Sequence, residues 1–234
     1  MYKNKKILGL ITARGGSKSI PKKNIALVAG KPLISYTVVA ANDSTLLTRT
    51  IVSTDDAEIA SVCREYGADV PFMRPAELAQ DKTPHIPVIQ HALRWLQDNA
   101  GETYDYVMIL QPTSPLRSAD DIDGAIKKAV DTDADSVMSM VELSDFDPRK
   151  IKKIVADEIV PMFSEEGAQS GRRQDGARAY KRNCAIYLTK TEYIMRNDLF
   201  GAVSRPYLMP ADRSLDINTP DDLAYADFLM ARHT

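Results

Sequence analysis

The run Ile7-Leu8-Gly9-Leu10-Ile11-Thr12-Ala13-Arg14-Gly15-Gly16-Ser17-Lys18-Ser19-Ile20-Pro21-Lys22-Lys23-Asn24 passes from an apolar segment into a basic one that carries glycines. Ile and Leu bounded by Gly suit a first strand covered on both faces. Beyond it, Gly15 and Gly16 let backbone N–H groups come close to an anion. Arg14, Lys18, Lys22 and Lys23 add positive charge to the same turn. A solvated basic turn is the plain alternative. Position favours a ligand, because open α/β sheets bind ligands outside the carboxyl ends of their strands. Counting excludes two familiar phosphate motifs. Five residues after Gly15 and Gly16 stand Ile20 and Pro21, so there is no P-loop, and no G-x-G-x-x-G is present.

Composition bounds the rest. A chain of 234 residues, 44% hydrophobic, can bury one substantial core, and a single domain over residues 1–234 is expected. The formal charge of −2 gives no global basic field for a nucleic-acid polymer, so the local basic turn points to a small anion. No apolar run of about 18 residues and no signal-peptide pattern appears, which predicts no membrane partner and a cytoplasmic location. Cys63 and Cys184, with no CxxC, fit a reducing compartment and argue against structural zinc.

From Gly30 onward helix and strand signals alternate. Pro32 opens a helix through Ala41, and Arg49–Ser53 reads as a strand. Asp55 or Asp56 caps a helix that ends at Gly67, with Ile59, Val62, Cys63 and Tyr66 on one face. Asp69–Met73 reads as a short strand and Ile86–Asn99 as a helix. Tyr106–Leu110, apolar throughout, is a central strand. Ser118 with Asp121 starts another helix, and strands follow at Asp135–Val141 and Asn183–Leu188. Between Ser144 and Tyr180 only a hairpin around Asp157-Glu158 is legible, in a segment long and polar enough to imply binding. Thr219-Pro220-Asp221-Asp222 opens the last helix. The rhythm predicts an α/β protein with a mostly parallel central sheet and helices on both faces.

The stretch Ala13–Asn24 resembles the signature of acylneuraminate cytidylyltransferases, enzymes that make CMP-sialic acids and related compounds. Gly30-Lys31-Pro32-Leu33, several residues after Lys23-Asn24, is similar to that branch rather than to the Kdo-activating enzymes. The resemblance spans most of the chain and is weakest between Ser144 and Gln169. It implies a three-layer Rossmann-like nucleotidyltransferase fold in which residues 144–180 form a dimerisation arm that helps close the sugar pocket of a homodimer. It also implies transfer of CMP from CTP to the anomeric hydroxyl of a nonulosonic acid, with release of pyrophosphate. By the same resemblance Ala13, Arg14, Gly15, Ser17, Lys18, Lys23 and Asn24 hold the triphosphate. Arg74, in the segment Arg74-Pro75-Ala76-Glu77-Leu78-Ala79 with Asp81 behind it, which resembles the family's base-binding segment, lies near the base, as does His85, where the family often has a small hydroxyl residue.

Leu110-Gln111-Pro112-Thr113-Ser114-Pro115-Leu116-Arg117 resembles a second family motif and implies Gln111 as a sugar contact. Arg173, Lys181 and Asn183 fall in the segment similar to the family's sugar and triphosphate region. Lys181 replaces the usual Arg and Cys184 the usual Gly. Asp216, in Arg213–Asp222, is implied as a ligand of Mg²⁺ beside Asn218, which stands where the family has a second Asp. Arg14, Lys23 and Asp216 are the implied catalytic residues. His85, His91 and His233 have no metal-ligand spacing and read otherwise as helix-surface and terminal residues. The departures at Lys181 and Asn218 leave open a Kdo-type or sugar-1-phosphate nucleotidyltransferase, or a nucleotide-binding regulatory module without turnover.

Overall fold

The computed structural model describes residues 1–144, 151–162 and 178–231. In chain order the elements are β1 (Ile7–Ala13), β2 (Leu27–Val28), β3 (Lys31–Pro32), α1 (Leu33–Asn42), β4 (Arg49–Thr54), α2 (Ala57–Glu65), α3 (His85–Ala100), β5 (Tyr106–Leu110) and α4 (Ala119–Asp131). They continue with β6 (Ser136–Glu142), β7 (Lys152–Val155), β8 (Glu158–Pro161), β9 (Tyr180–Lys190), α5 (Thr191–Met195), β10 (Ser204–Leu208) and α6 (Pro220–Ala231).

The main sheet has the order β10-β6-β9-β5-β1-β4. β1 runs parallel to β4 and β5, and β10 runs parallel to β6. β9 alone is reversed, pairing antiparallel with both β5 and β6. The alternation of β1 sends its side chains into two cores. Ile7, Ile11 and Ala13 pack with Ile34, Ile59 and Ile126 on one face; Leu8 and Leu10 pack with Ile89, Leu93 and Leu96 on the other. Two helical layers on one sheet give the expected three-layer arrangement. Cys63 is fully buried in the first core, where burial pushes its thiol up to about 12. Among the described residues no helix is long and apolar enough to cross a membrane.

Helix starts follow their capping chemistry. Asp56 accepts from the backbone N–H groups of Glu58 and Ile59 at 2.8 and 3.1 Å. Ser118 and Asp121 form a reciprocal capping box on α4. Thr219 and Asp222 exchange the same kind of bonds at the start of α6, at 2.8 and 3.2 Å.

The segment Asp69–Met73 is not a strand. Its backbone pairs with β4 at two isolated bridges, Ile51 to Asp69 and Thr54 to Met73, rather than along a ladder. Pro71 between them supplies no N–H and interrupts a ladder. The expected hairpin is present: β7 and β8 pair from Lys152↔Pro161 to Val155↔Glu158, turning through Ala156 and Asp157 at φ 50° and 67°. Positive φ at both central residues is the twist-compatible hairpin geometry.

Candidate active site

β1 ends inside the protein, and the chain leaves its carboxyl end along a cavity of about 410 Å³. Asn24, 6% exposed, donates from Nδ2 to the Arg14 carbonyl at 3.0 Å and so closes the Arg14–Asn24 loop on itself. Gly15 is required by packing rather than by its φ. A Cβ there would lie 2.5 Å from Asp56 Oδ2, while its N–H donates to Asp55 Oδ1 at 3.2 Å. A Cβ on Gly16 would meet nothing within 4 Å. Lys22 occupies the left-handed region at φ 50°, a strained position for a side-chain-bearing residue, and this turn sends Lys23 back toward the cavity.

Arg14, Ser17, Lys18, Lys23, Asn24, Arg74, His85 and Gln111 all line the cavity. Lys23 Nζ donates to the Ile217 carbonyl at 2.8 Å. Burial pulls its pKa below the ordinary lysine value, against the opposing pull of Asp216. Arg14 and Lys18 both pair with Asp81, the former at 2.8 Å. The Lys18 bond first, and then the nearby charges, hold that carboxyl below its usual range against partial desolvation.

Arg74, 7% exposed, donates from Nη2 to the Ala13 carbonyl at 3.0 Å and to Asp55 Oδ1 at 3.1 Å. Asp55 therefore holds both the arginine and the Gly15 amide. Removing Asp55 would strand the buried Arg74 charge, a destabilising loss that the partial exposure of Asp55 reduces. Arg74 Nε is buried without a hydrogen-bond partner and remains available as a donor. His85 is not a helix-surface residue. It opens α3, with Nε2 3.0 Å from Thr12 Oγ1. Burial, and secondarily Arg74, lower its pKa below 6.5, so its neutral ring forms the wall at neutral pH.

Asp216 and Asn218 adjoin this cavity through their neighbour Ile217, whose N–H donates to the Thr113 carbonyl at 2.9 Å. Asn218 Nδ2 donates to Asp216 Oδ2 at 2.9 Å. Asp216 Oδ1 is buried without a partner. Lys181 is exposed on β9, opposite Val141. Asn183 departs from its expected role as a sugar contact: it is 2% exposed, and its amide bonds Ser214 Oγ at 2.9 Å inside the protein. Arg173 lies outside the described residues. Sequence reading missed Thr12 and Asp55 at this site and placed Asp81 behind the Arg74 segment without its pairing to Arg14; the partners of the three lie 19 to 73 positions away.

A basic loop at the carboxyl end of a central strand, with an arginine and an imidazole lining the same cavity, lies where open α/β sheets bind their ligands. Residues 8–227 match the family model described as Cytidylyltransferase. The chain belongs to that family.

Its relatives include a pseudaminic acid cytidylyltransferase from Campylobacter jejuni, 34% identical over 225 residues that cover 96% of each chain. A CMP-N,N'-diacetyllegionaminic acid synthase from Legionella pneumophila is 34% identical over 236 residues, again with 96% of each chain covered. An N-acylneuraminate cytidylyltransferase from Escherichia coli is 32% identical over 222 residues, which cover 94% of this chain and 51% of that longer protein. Among solved structures, a CMP:2-keto-3-deoxy-manno-octonic acid synthetase complexed with CTP has the same fold, with a TM-score of 0.72 at 17% identity over 98% of this chain and 100% of that one.

Proposed function

We propose that the protein transfers CMP from CTP to the anomeric hydroxyl of an N-acylneuraminate-like nonulosonic acid. The observation that carries this reading is the convergence of Arg14, Lys18 and Lys23 on one strand-end cavity that Arg74, His85 and Gln111 also line. Three cations offset most of the negative charge of a nucleoside triphosphate. The sugar-acid class comes from the relatives, which are named for pseudaminic, legionaminic and acylneuraminic acids.

In the reaction the anomeric oxygen attacks the α-phosphorus. The bond from that phosphorus to the α,β-bridging oxygen breaks, pyrophosphate leaves with the electron pair, and the hydroxyl proton is released. Such a transfer depends on positioning and charge neutralisation more than on covalent help from the protein. Arg14, Lys18 and Lys23 bind the phosphates, with Ser17 and Asn24 lining the same side. Arg74 offers Nε toward the base. Gln111 and Lys181 present donors to the sugar, with Arg173 assigned to its carboxylate.

The residues also fit a divalent cation, taken to be Mg²⁺. Asp216 Oδ1 is an orphaned buried oxygen, and Asn218 can add an amide oxygen. Among the described residues no cluster of three or more His, Cys, Asp or Glu side chains could hold a metal unaided, which suits an ion that takes its remaining ligands from substrate phosphates and water. Bound there, the ion would neutralise phosphate charge at the reacting centre.

The paired isoleucines of the β7–β8 hairpin support assembly as a homodimer. Ile154 and Ile159 oppose each other and are 77% and 75% exposed. An isolated hairpin with an uncovered apolar pair is marginal in water, and a second copy of the chain supplies the cover.

The substrate assignment is tested by pyrophosphate release from CTP with pseudaminic, legionaminic, N-acetylneuraminic and deaminated sialic acids, Kdo, and sugar 1-phosphates. Turnover with one or more of the sialic-type acids is expected. Turnover only with Kdo or a sugar phosphate, or CTP binding with no turnover on the whole panel, contradicts the reading.

A further inference from the structure

Arg117 closes the motif that begins at Gln111, and nothing in the reaction described above uses it. It is 3% exposed. Its Nη1 donates to two carbonyls, Ala185 at 2.9 Å and Gln111 at 3.2 Å. Nε and Nη2 are buried with no hydrogen-bond partner. The nearest acidic group, Asp121, is already engaged by Arg213 Nη1 at 2.5 Å and by Ser118. Burial, only partly opposed by Asp121, brings the Arg117 pKa down to about 10. A buried guanidinium with three of its five N–H donors idle is a costly way to fill space.

The two carbonyls show what that cost secures. The β5–β9 ladder ends at Leu110↔Ile186, so Gln111 and Ala185 are the next residues facing each other. The backbones cannot continue the pairing there. Pro112 has no N–H to offer, Cys184 is in the left-handed region at φ 64°, and the β6–β9 register shifts nearby, between Met138 and Met140. Arg117 Nη1 spans the gap and bonds both strands where their own bonds stop. Gln111 O also receives the Ser114 N–H at 3.3 Å and the Thr37 hydroxyl at 3.4 Å. Among the described contacts, Arg117 alone joins that carbonyl to β9.

We infer that Arg117 is a positioning residue for the sugar acid: it sets the separation between Gln111 on the loop after β5 and the sugar-facing segment of β9 that carries Lys181. This inference rests on the proposed sugar side of the cavity. It places the main effect on Gln111 and β9, since the triphosphate loop has anchors of its own through Asn24 and Asp55 and meets the Gln111 turn only through the Lys23–Ile217–Thr113 bonds among the described contacts.

The test compares wild type, Arg117→Met and Arg117→Lys in three measurements: KM for the sugar acid, CTP affinity by calorimetry, and amide hydrogen exchange over residues 111–117 and 183–186. A charged hydrogen bond lost at each carbonyl predicts a sugar KM raised about tenfold or more in Arg117→Met, with CTP affinity within about twofold of wild type. Exchange should quicken in both segments. Arg117→Lys keeps a charged donor and should recover part of the sugar KM; it also decides the matter if Arg117→Met does not fold. Equal losses toward CTP and sugar would show a general structural role and overturn the inference. So would an unchanged sugar KM in both variants, or unchanged exchange at 183–186. If wild type turns over no sugar acid, the proposed function fails, and the exchange measurement still decides whether Arg117 ties β5 to β9.

Discussion

Arg14 and Lys23 stand on the same loop yet are held by different parts of the chain, Arg14 by Asp81 and Lys23 by the Ile217 carbonyl. In the proposed reaction each supplies a cation to the triphosphate. Charge-assisted hydrogen bonds are worth about 1.5–3 kcal/mol, so Arg14→Ala and Lys23→Ala should each lower kcat/KM for CTP by about ten- to a hundredfold. Unchanged kinetics in both would remove the loop from the site. Asp81 has the opposite role, since it neutralises Arg14 and Lys18 before a ligand arrives. Phosphates must compete with it for those cations. Asp81→Asn should therefore lower KM for CTP by about two- to fivefold, the scale of an exposed ion pair; a raised KM would instead make Asp81 a contact for the substrate. The cations were legible in sequence because they cluster within one motif. The pairings of Asp81 and Asp55 were not, because a carboxylate 67 or 40 residues from its partner leaves no local pattern.

The elements that position these residues were legible wherever local chemistry fixes an end. Asp56, Ser118 and Thr219 each start a helix by bonding its first free N–H groups, and each is an N-cap residue type visible in the sequence. Ser118→Ala should reduce stability by about 1 kcal/mol in urea unfolding; it removes the cap on the Asp121 N–H and one bond from Arg213 Nη1, and leaves Asp121 to Arg213. A loss near zero would mean that the Arg213 bond already holds the helix start. Legibility ended where tertiary pairing decides. Asp69–Met73 has strand-like residues but Pro71 breaks its ladder, and it survives as two bridges. β10 gave no clear signal because Arg205 and Pro206 interrupt its apolar pattern. It forms at the edge of the sheet, where a proline costs least. The reversal of β9 is equally non-local: its residues read as a strand, but nothing in them states a direction.

At the scale of the whole molecule, the three layers and the strand-end cavity follow from the β1 pattern and the alternation after it, whereas the proposed dimer rests on the β7–β8 hairpin. The exposed pair Ile154 and Ile159 predicts a dimer by sedimentation at assay concentration, with Ile154→Asp and Ile159→Asp shifting it toward monomer. A wild-type monomer that is fully active would contradict that assembly. The central claim is the fate of one phosphorus atom. CTP labelled with ³²P at the α-position should be incubated with the protein, Mg²⁺ and a sialic-type acid. The account predicts that the label passes into a sugar-linked CMP while unlabelled pyrophosphate is released in equal amount. Label that remains in CTP, or that appears only as free CMP, would contradict it.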